Sequence, residues 1–162
     1  YILTNNHVIE QADNEILVHT NDERAYKAQV IAKTKSPDLA VLQISLNDHD
    51  IIRLAQPEDI KIGTKVMLFG FPLRDLPTAT ANDGMISNTN RSYDGVNVNQ
   101  LDVSANKGNS GGPVLDYRGR LVGVLTWGYP ASEADRFNFA QKVSVVRGWL
   151  NTHLGNDFTM DR

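Results

Sequence analysis

The sequence contains no cysteine. That excludes a disulfide framework, a thiol nucleophile, a thiolate zinc site and an iron–sulfur cluster. It also lacks a long apolar run: no stretch approaches the ~18 residues of a membrane-spanning helix. Basic clusters are missing as well. The 16 Lys and Arg are scattered and the formal net charge is −3, so nothing resembles the cationic patch that neutralises a phosphate backbone, and nucleic acid is not an expected partner. No secretory leader is visible. Gly and Pro, at 12 and 6 residues, are too few for a low-complexity chain. What remains is 162 residues with 41% hydrophobic and 22% charged side chains, enough to build a packed core in one ordinary domain.

The pattern along the chain is strand after strand. Short apolar or alternating segments at 1–4, 15–19, 25–33, 39–44, 65–69, 83–87, 101–103, 113–115, 121–127 and 138–143 are separated by turn signals at Asn21-Asp22, Ser36-Pro37, Tyr93-Asp94-Gly95 and Arg118-Gly119. Many short strands at this spacing predict an all-β sandwich or barrels. One helix is expected at 145–154, capped by Ser144 and stopped by Gly155, with Val146, Leu150 and Leu154 on one face. A polar, irregular segment at 47–61 divides the chain into parts 1–50 and 51–162, with no Gly/Ser linker and no internal repeat. Within it, Asn47-Asp48-His49-Asp50 lacks the Gly and distal Glu of a calcium loop and reads as a solvated turn. No metal site is expected.

The segment that carries chemistry is Lys107-Gly108-Asn109-Ser110-Gly111-Gly112-Pro113. Small residues around one Ser give backbone room for a substrate carbonyl and free N–H groups to meet a developing oxyanion. A Ser is inert without a base. Of the four His, His19 ends a predicted strand, His49 sits in the polar segment and His153 lies near the helix end. His7 follows Leu3-Thr4-Asn5-Asn6, where a strand leaves the core, and is placed to reach a cleft. A third group must fix the imidazole tautomer. Asp38 stands between Ser36-Pro37 and the apolar Leu39-Ala40-Val41-Leu42, where a carboxylate needs a partner. The three come in the order His, Asp, Ser.

These residues resemble the chymotrypsin-fold serine peptidases, and in particular the bacterial HtrA (Deg) protease domain. Thr4-Asn5-Asn6-His7-Val8 is similar to the histidine segment of that family and Asp38-Leu39-Ala40-Val41-Leu42 to its aspartate segment. Gly84-Met85-Ile86-Ser87 with Arg91 resembles its glycine-led strand, and 102–113 the stretch around its nucleophile, followed by a hairpin at 119–123. The resemblance runs from residue 1 to about 147. It implies two six-stranded antiparallel barrels with the site in the crevice between them and a C-terminal helix. Residues 1–50 would be the remainder of the first barrel, carrying His7 and Asp38. Residues 51–162 would form the second barrel, carrying Ser110, and the helix.

By position, the resemblance implies Ser110 as nucleophile, His7 as general base and then acid, and Asp38 as the orienting carboxylate. The N–H groups of Gly108 and Ser110, with Asn109 between them, would form the oxyanion hole. Thr126-Trp127-Gly128 would pair with the substrate backbone. In trypsin-like enzymes an Asp six residues before the Ser selects Lys or Arg; here that position is Ser104, so a basic preference is not expected. Ala105, Tyr129 and Phe139 are the pocket candidates and imply a small or medium apolar preference. No cofactor is implied.

Three functions are consistent with these residues. The first is an active serine endopeptidase acting on unfolded or flexible protein. The second is a catalytically inactive, protease-like module or fragment that holds peptides without cutting them. The third is a processing peptidase of the same fold with strict site preference. The opening Tyr1-Ile2-Leu3-Thr4 reads as mid-strand, whereas the family has about two strands ahead of its histidine segment. The first barrel is therefore expected to be incomplete in 1–162. No counterpart of the family's PDZ domains follows Leu154, and the family's trimer forms through an N-terminal segment with no counterpart here, so the oligomeric state stays open. A periplasmic or exported location is implied by resemblance alone.

Overall fold

The structure is a computed structural model, and it describes residues 1–10, 12, 15–46, 50–72, 78–128 and 137–155. Among the described residues, ten strands and two α-helices follow in chain order: β1 (Ile2–Thr4), α1 (Asn6–Ile9), β2 (Ile16–His19), β3 (Ala25–Thr34), β4 (Leu39–Gln43), β5 (Lys65–Gly70), β6 (Thr80–Tyr93), β7 (Val96–Val103), β8 (Pro113–Asp116), β9 (Leu121–Gly128), β10 (Phe137–Lys142) and α2 (Val143–Leu154). The first four strands form one antiparallel sheet in the order β1-β4-β3-β2, curled as a half-barrel. The last six close into a barrel in the order β10-β7-β6-β5-β8-β9. The all-β expectation, with a second barrel complete and a first one partial, is borne out.

Burial explains why the two sheets sit where they do. Leu39, Ala40, Val41 and Leu42 are all buried, so β4 is covered on both faces. Alternate residues face opposite ways along a strand. Ala40 and Leu42 join Ile9 inside the half-barrel. Leu39 and Val41 pack instead with Leu54, Leu121 and Val124 and with Val143, Val146, Trp149 and Leu150 of α2. The half-barrel, the closed barrel and the helix thus share one apolar layer. The barrel interior is a separate cluster that includes Val66, Leu68, Ile86, Leu101, Val103, Val114 and Val122. The polar 47–61 segment contributes to this packing: Leu54 and Ala55 are buried, and Leu54 bridges Leu121 in parallel. A short 3-10 turn at Pro57–Asp59 follows. Asn47, Asp48 and His49 lie outside the described residues.

Several boundaries differ from the sequence reading. The helix begins at Val143, with Lys142 rather than Ser144 at its N-cap and no side-chain cap. Burial sets this start: Val143 is buried and belongs to the shared layer, and Lys142 Nζ is held by the Thr89 carbonyl at 2.5 Å. Gly155 does end the helix, at φ +82°. The largest difference is the β6–β7 hairpin. Expected at 83–87 and 101–103, its strands run over Thr80–Tyr93 and Val96–Val103, joined by Asp94 and Gly95 at φ +48° and +76°. Two residues of positive φ are the signature of the tight turn that matches strand twist.

The β8–β9 hairpin is fastened by an ionic cluster. Asp116 Oδ1 accepts the N–H groups of Arg118 and Arg120, both at 2.9 Å, and Arg120 donates to Asp116 and to Asp59 at 2.8 Å. Burial alone would raise the Asp116 carboxyl; the hydrogen bonds from the Arg120 and Arg118 backbone and the Arg120 guanidinium outweigh it and hold it below the ordinary range. The folded value is thus lower than the unfolded one. The resulting stability is present above the unfolded value of about 4 and is lost as pH falls through the lowered folded value. We expect the urea midpoint of the protein to exceed that of Asp116→Asn at pH 6, and the gap to shrink on acidification to pH 3. A gap that widens with acid would contradict this.

Candidate active site

Each of the three segments singled out in the sequence is placed by a different element. β1 ends at Thr4, and the chain turns through Asn5 into α1, a single helical turn that carries His7. His7 was expected at a strand end; it lies on this turn just beyond one. Asn5 is fully buried and its side-chain amide donates to the Asp38 carbonyl at 2.8 Å. Asp38 lies in the turn between β3 and β4, and the β1–β4 register (Thr4 opposite Ala40) brings that turn beside α1. The result is a two-point contact. The Asp38 carboxylate accepts the His7 backbone N–H at Oδ1 (2.9 Å) and faces His7 Nδ1 at Oδ2 (2.5 Å). Because an ionised carboxylate only accepts, His7 Nδ1 carries the proton and Nε2 is left as the acceptor.

Thr126 adds a further bond that the sequence reading missed. It was expected at the substrate strand, but its Oγ1 donates to Asp38 Oδ2 at 3.0 Å. A lone hydroxyl near the end of an apolar strand, directly before Trp127, is the only signal available for it. On the other side of His7, Asn6 donates to Glu10, and Glu10 pairs with Lys35 at 3.5 Å. The Asn6 hydrogen bond first, and Lys35 second, hold the Glu10 carboxyl below its ordinary value.

Ser110 arrives from the closed barrel, on the loop between β7 and β8. This loop is seated by its glycines. A Cβ on Gly112 would meet the Phe69 carbonyl at 2.2 Å, and one on Gly111 would meet Thr4 Oγ1 at 2.3 Å. The loop therefore lies directly on the end of the strand that delivers His7. Gly108 has φ +98°, and a Cβ there would meet the Phe71 carbonyl at 2.2 Å. The Asn109 N–H is used by Asn106 and the Gly111 N–H by Leu125. Among the described residues, the N–H groups of Gly108 and Ser110 have no acceptor.

His7, Asp38 and Ser110 line one cavity of about 700 Å³ between the two sheets, together with Ala105, Lys107, Thr126, Trp127 and the hairpin tip residues Tyr93, Asp94 and Val96. No hydrogen bond joins Ser110 to His7 among the described residues; such contacts commonly tighten only when substrate is bound. Of the pocket candidates, Ala105 lines the cavity. Ser104 is exposed and Phe139 is buried, and neither lines it. Gly128 ends β9 opposite Asn138. Tyr129 lies outside the described residues. Of the other histidines, His19 ends β2, and His153 bonds the Trp149 carbonyl at 2.8 Å and lies tilted against the Trp149 ring. Among the described residues no group of three His, Asp or Glu is placed to hold a metal ion, and no helix is long and apolar enough to cross a membrane.

A closed barrel and a curled half-barrel thus meet at a cavity that gathers His7, Asp38 and Ser110, in that chain order. Residues 1–124 match the trypsin-like peptidase domain family, and the chain belongs to it. Among curated relatives it is 38% identical to a probable periplasmic serine endoprotease DegP-like of Hahella chejuensis (strain KCTC 2396). The alignment takes in 100% of this chain and 39% of that protein. It is 35% identical to the protein of the same description from Marinomonas sp. (strain MWYL1), over the same shares. The chain spans about two fifths of the length of these relatives. Among solved structures it is similar to the HtrA-type protease AlgW with decapeptide (TM-score 0.85, 31% identity, 95% of this chain and 48% of that one). It is also similar to a serine endoprotease from Yersinia pestis (TM-score 0.81, 28% identity, 96% and 54%). The resemblance to HtrA proteases read from the three segments is borne out.

Proposed function

We propose that this chain is the catalytic part of a serine endopeptidase that hydrolyses unfolded or flexible protein, with Ser110 as nucleophile, His7 as base and acid, and Asp38 as the orienting carboxylate. The observation that carries the reading is the two-point grip of Asp38 on His7 at 2.9 and 2.5 Å, in the same cavity as Ser110. With Nδ1 committed to Asp38, His7 Nε2 takes the Ser110 proton as Oγ attacks the scissile carbonyl. The oxyanion that forms is met by the N–H groups of Gly108 and Ser110. His7 then protonates the leaving amine, and an acyl-enzyme remains on Ser110. A water deprotonated by His7 hydrolyses it by the reverse sequence. The Asp38 charge, steadied by Thr126, stabilises the imidazolium at each step.

Substrate would enter as an added strand. The pairing of β8 with β9 stops at Val124, and past Leu125 the strand runs along β10 while Thr126 and Trp127 face the cavity. Backbone pairing there gives affinity with little sequence demand, and Ala105 favours a small or medium apolar side chain beside Ser110. That relatives are named periplasmic, and that a neighbour is described with a bound decapeptide, supports a periplasmic or exported enzyme taking peptide segments.

The test is degradation of casein followed by mass spectrometry of the fragments. We expect cleavage after small and medium apolar residues, abolished by prior treatment with a serine-directed inhibitor. Fragments that persist after that treatment would overturn the proposal.

A further inference from the structure

The long β6–β7 hairpin does more than close the barrel. Its outer half, from Ser87 to Tyr93, extends past the last β5 pairing at Met85. Polar bonds hold this arm in place. Arg91 Nε donates to Gln100 Oε1 at 2.9 Å, Ser87 Oγ to the Gln100 carbonyl at 3.2 Å and Lys142 Nζ to the Thr89 carbonyl at 2.5 Å. The arm ends with Tyr93, Asp94 and Val96 on the cavity that holds His7 and Ser110.

At that tip an aromatic series leads from core to rim. Phe139 is 7% exposed; Trp127 lies against it with ring centroids 4.9 Å apart; Tyr93 stacks on Trp127 at 4.4 Å and 22° and is itself 39% exposed. Tyr93 pairs directly with Val96 across the turn, so both side chains stand on one face of the hairpin. The outermost ring of a stacked series, anchored below and open above, is positioned to take one more ring or apolar group at offset-stacking distance. Of the hairpin residues that line the cavity, Asp94 is polar, and Tyr93 and Val96 are the apolar ones.

We infer that Tyr93 is a specificity-determining residue: with Trp127 and Val96 it forms a shelf that binds an aromatic or large apolar substrate side chain away from the bond that is cut. This rests on the reading of the cleft as a peptide site. It adds a second preference to the small pocket at Ala105, and assigns it to the closed barrel's hairpin rather than to the loop around Ser110.

The experiment reads binding, so that it does not depend on turnover. Labelled peptides, identical but for one Phe moved position by position along a Gly-Ser-Ala frame, are titrated by fluorescence anisotropy into the 162-residue chain carrying Ser110→Ala. At one position Phe is expected to tighten binding about tenfold over Gly, and Tyr93→Ala to bring that ratio to about one, consistent with the energy of one aromatic contact. Tyr93→Phe, which keeps the ring and guards against a variant that fails to fold, is expected to retain the preference. No preference at any position, an equal loss for Phe and Gly peptides, a preference that survives Tyr93→Ala, or an absence of binding would overturn the inference. The peptidase reading is judged separately, by whether the chain with Ser110 intact cleaves the peptides that bind.

Discussion

Ser110→Ala is expected to lower turnover by about 10⁴ to 10⁶ while leaving the fold and peptide affinity in place. The size follows from the division of labour in the cleft. Without Oγ there is no acyl-enzyme, and His7 can only assist direct attack by water; what survives is the contribution of the Gly108 and Ser110 N–H groups and of binding. Ser110 sits on a loop seated by backbone contacts at Gly111 and Gly112 rather than by its own side chain, so removal of the hydroxyl leaves the loop seated. Because the three residues act as a unit, His7→Ala added to Ser110→Ala should cost little more. Single-turnover cleavage of a fluorogenic peptide measures both, and a variant retaining more than a tenth of the parent rate would refute the assignment of Ser110.

Gly108→Ala is the second large effect, and it comes from geometry. At φ +98° an L-residue is strained, and its Cβ would lie 2.2 Å from the Phe71 carbonyl. The backbone has to move, and the N–H groups of Gly108 and Ser110 move with it. Loss of one oxyanion donor typically costs about 10² to 10³ in kcat. Gly119→Ala is the matched control. Its φ of +74° carries similar strain, yet a Cβ there meets nothing within 4 Å. It should cost about 1–2 kcal/mol of stability and leave kcat unchanged. Equal kinetic damage from both would show that strain alone, not the displaced donors, is responsible.

The meeting of His7, Asp38 and Ser110 at one cavity was legible in the sequence because each residue is placed by local chemistry. A strand ending in Asn5-Asn6-His7, an Asp ahead of four buried residues and a Ser among glycines each carry their reason within a few positions. The closed barrel was legible where its strands alternate strongly, as at Val66 and Leu68. The β6–β7 arm was not. Asn88, Thr89, Asn90, Arg91 and Ser92 show no apolar alternation, and the strand they form is held by Gln100 across the hairpin and by two partners distant in sequence, Lys142 and, under Tyr93, Trp127. The one-turn helix under His7 escaped for a similar reason. It has no side-chain cap: Asn5 donates its Nδ2 to the Asp38 carbonyl, and its Oδ1 meets no helix N–H. The role of Thr126 depends on a partner 88 residues away. The start of α2 was misplaced because burial of Val143, not the capping tendency of Ser144, decides it.

The central claim is that Ser110 is activated by His7 beside a formed oxyanion hole. Intact-mass analysis after exposure to a fluorophosphonate tests it most directly, since the reagent reacts with a serine in that environment. The account predicts one adduct per chain on the parent and none on Ser110→Ala. A folded parent that takes no adduct, or an adduct that persists when Ser110 is replaced, would contradict it.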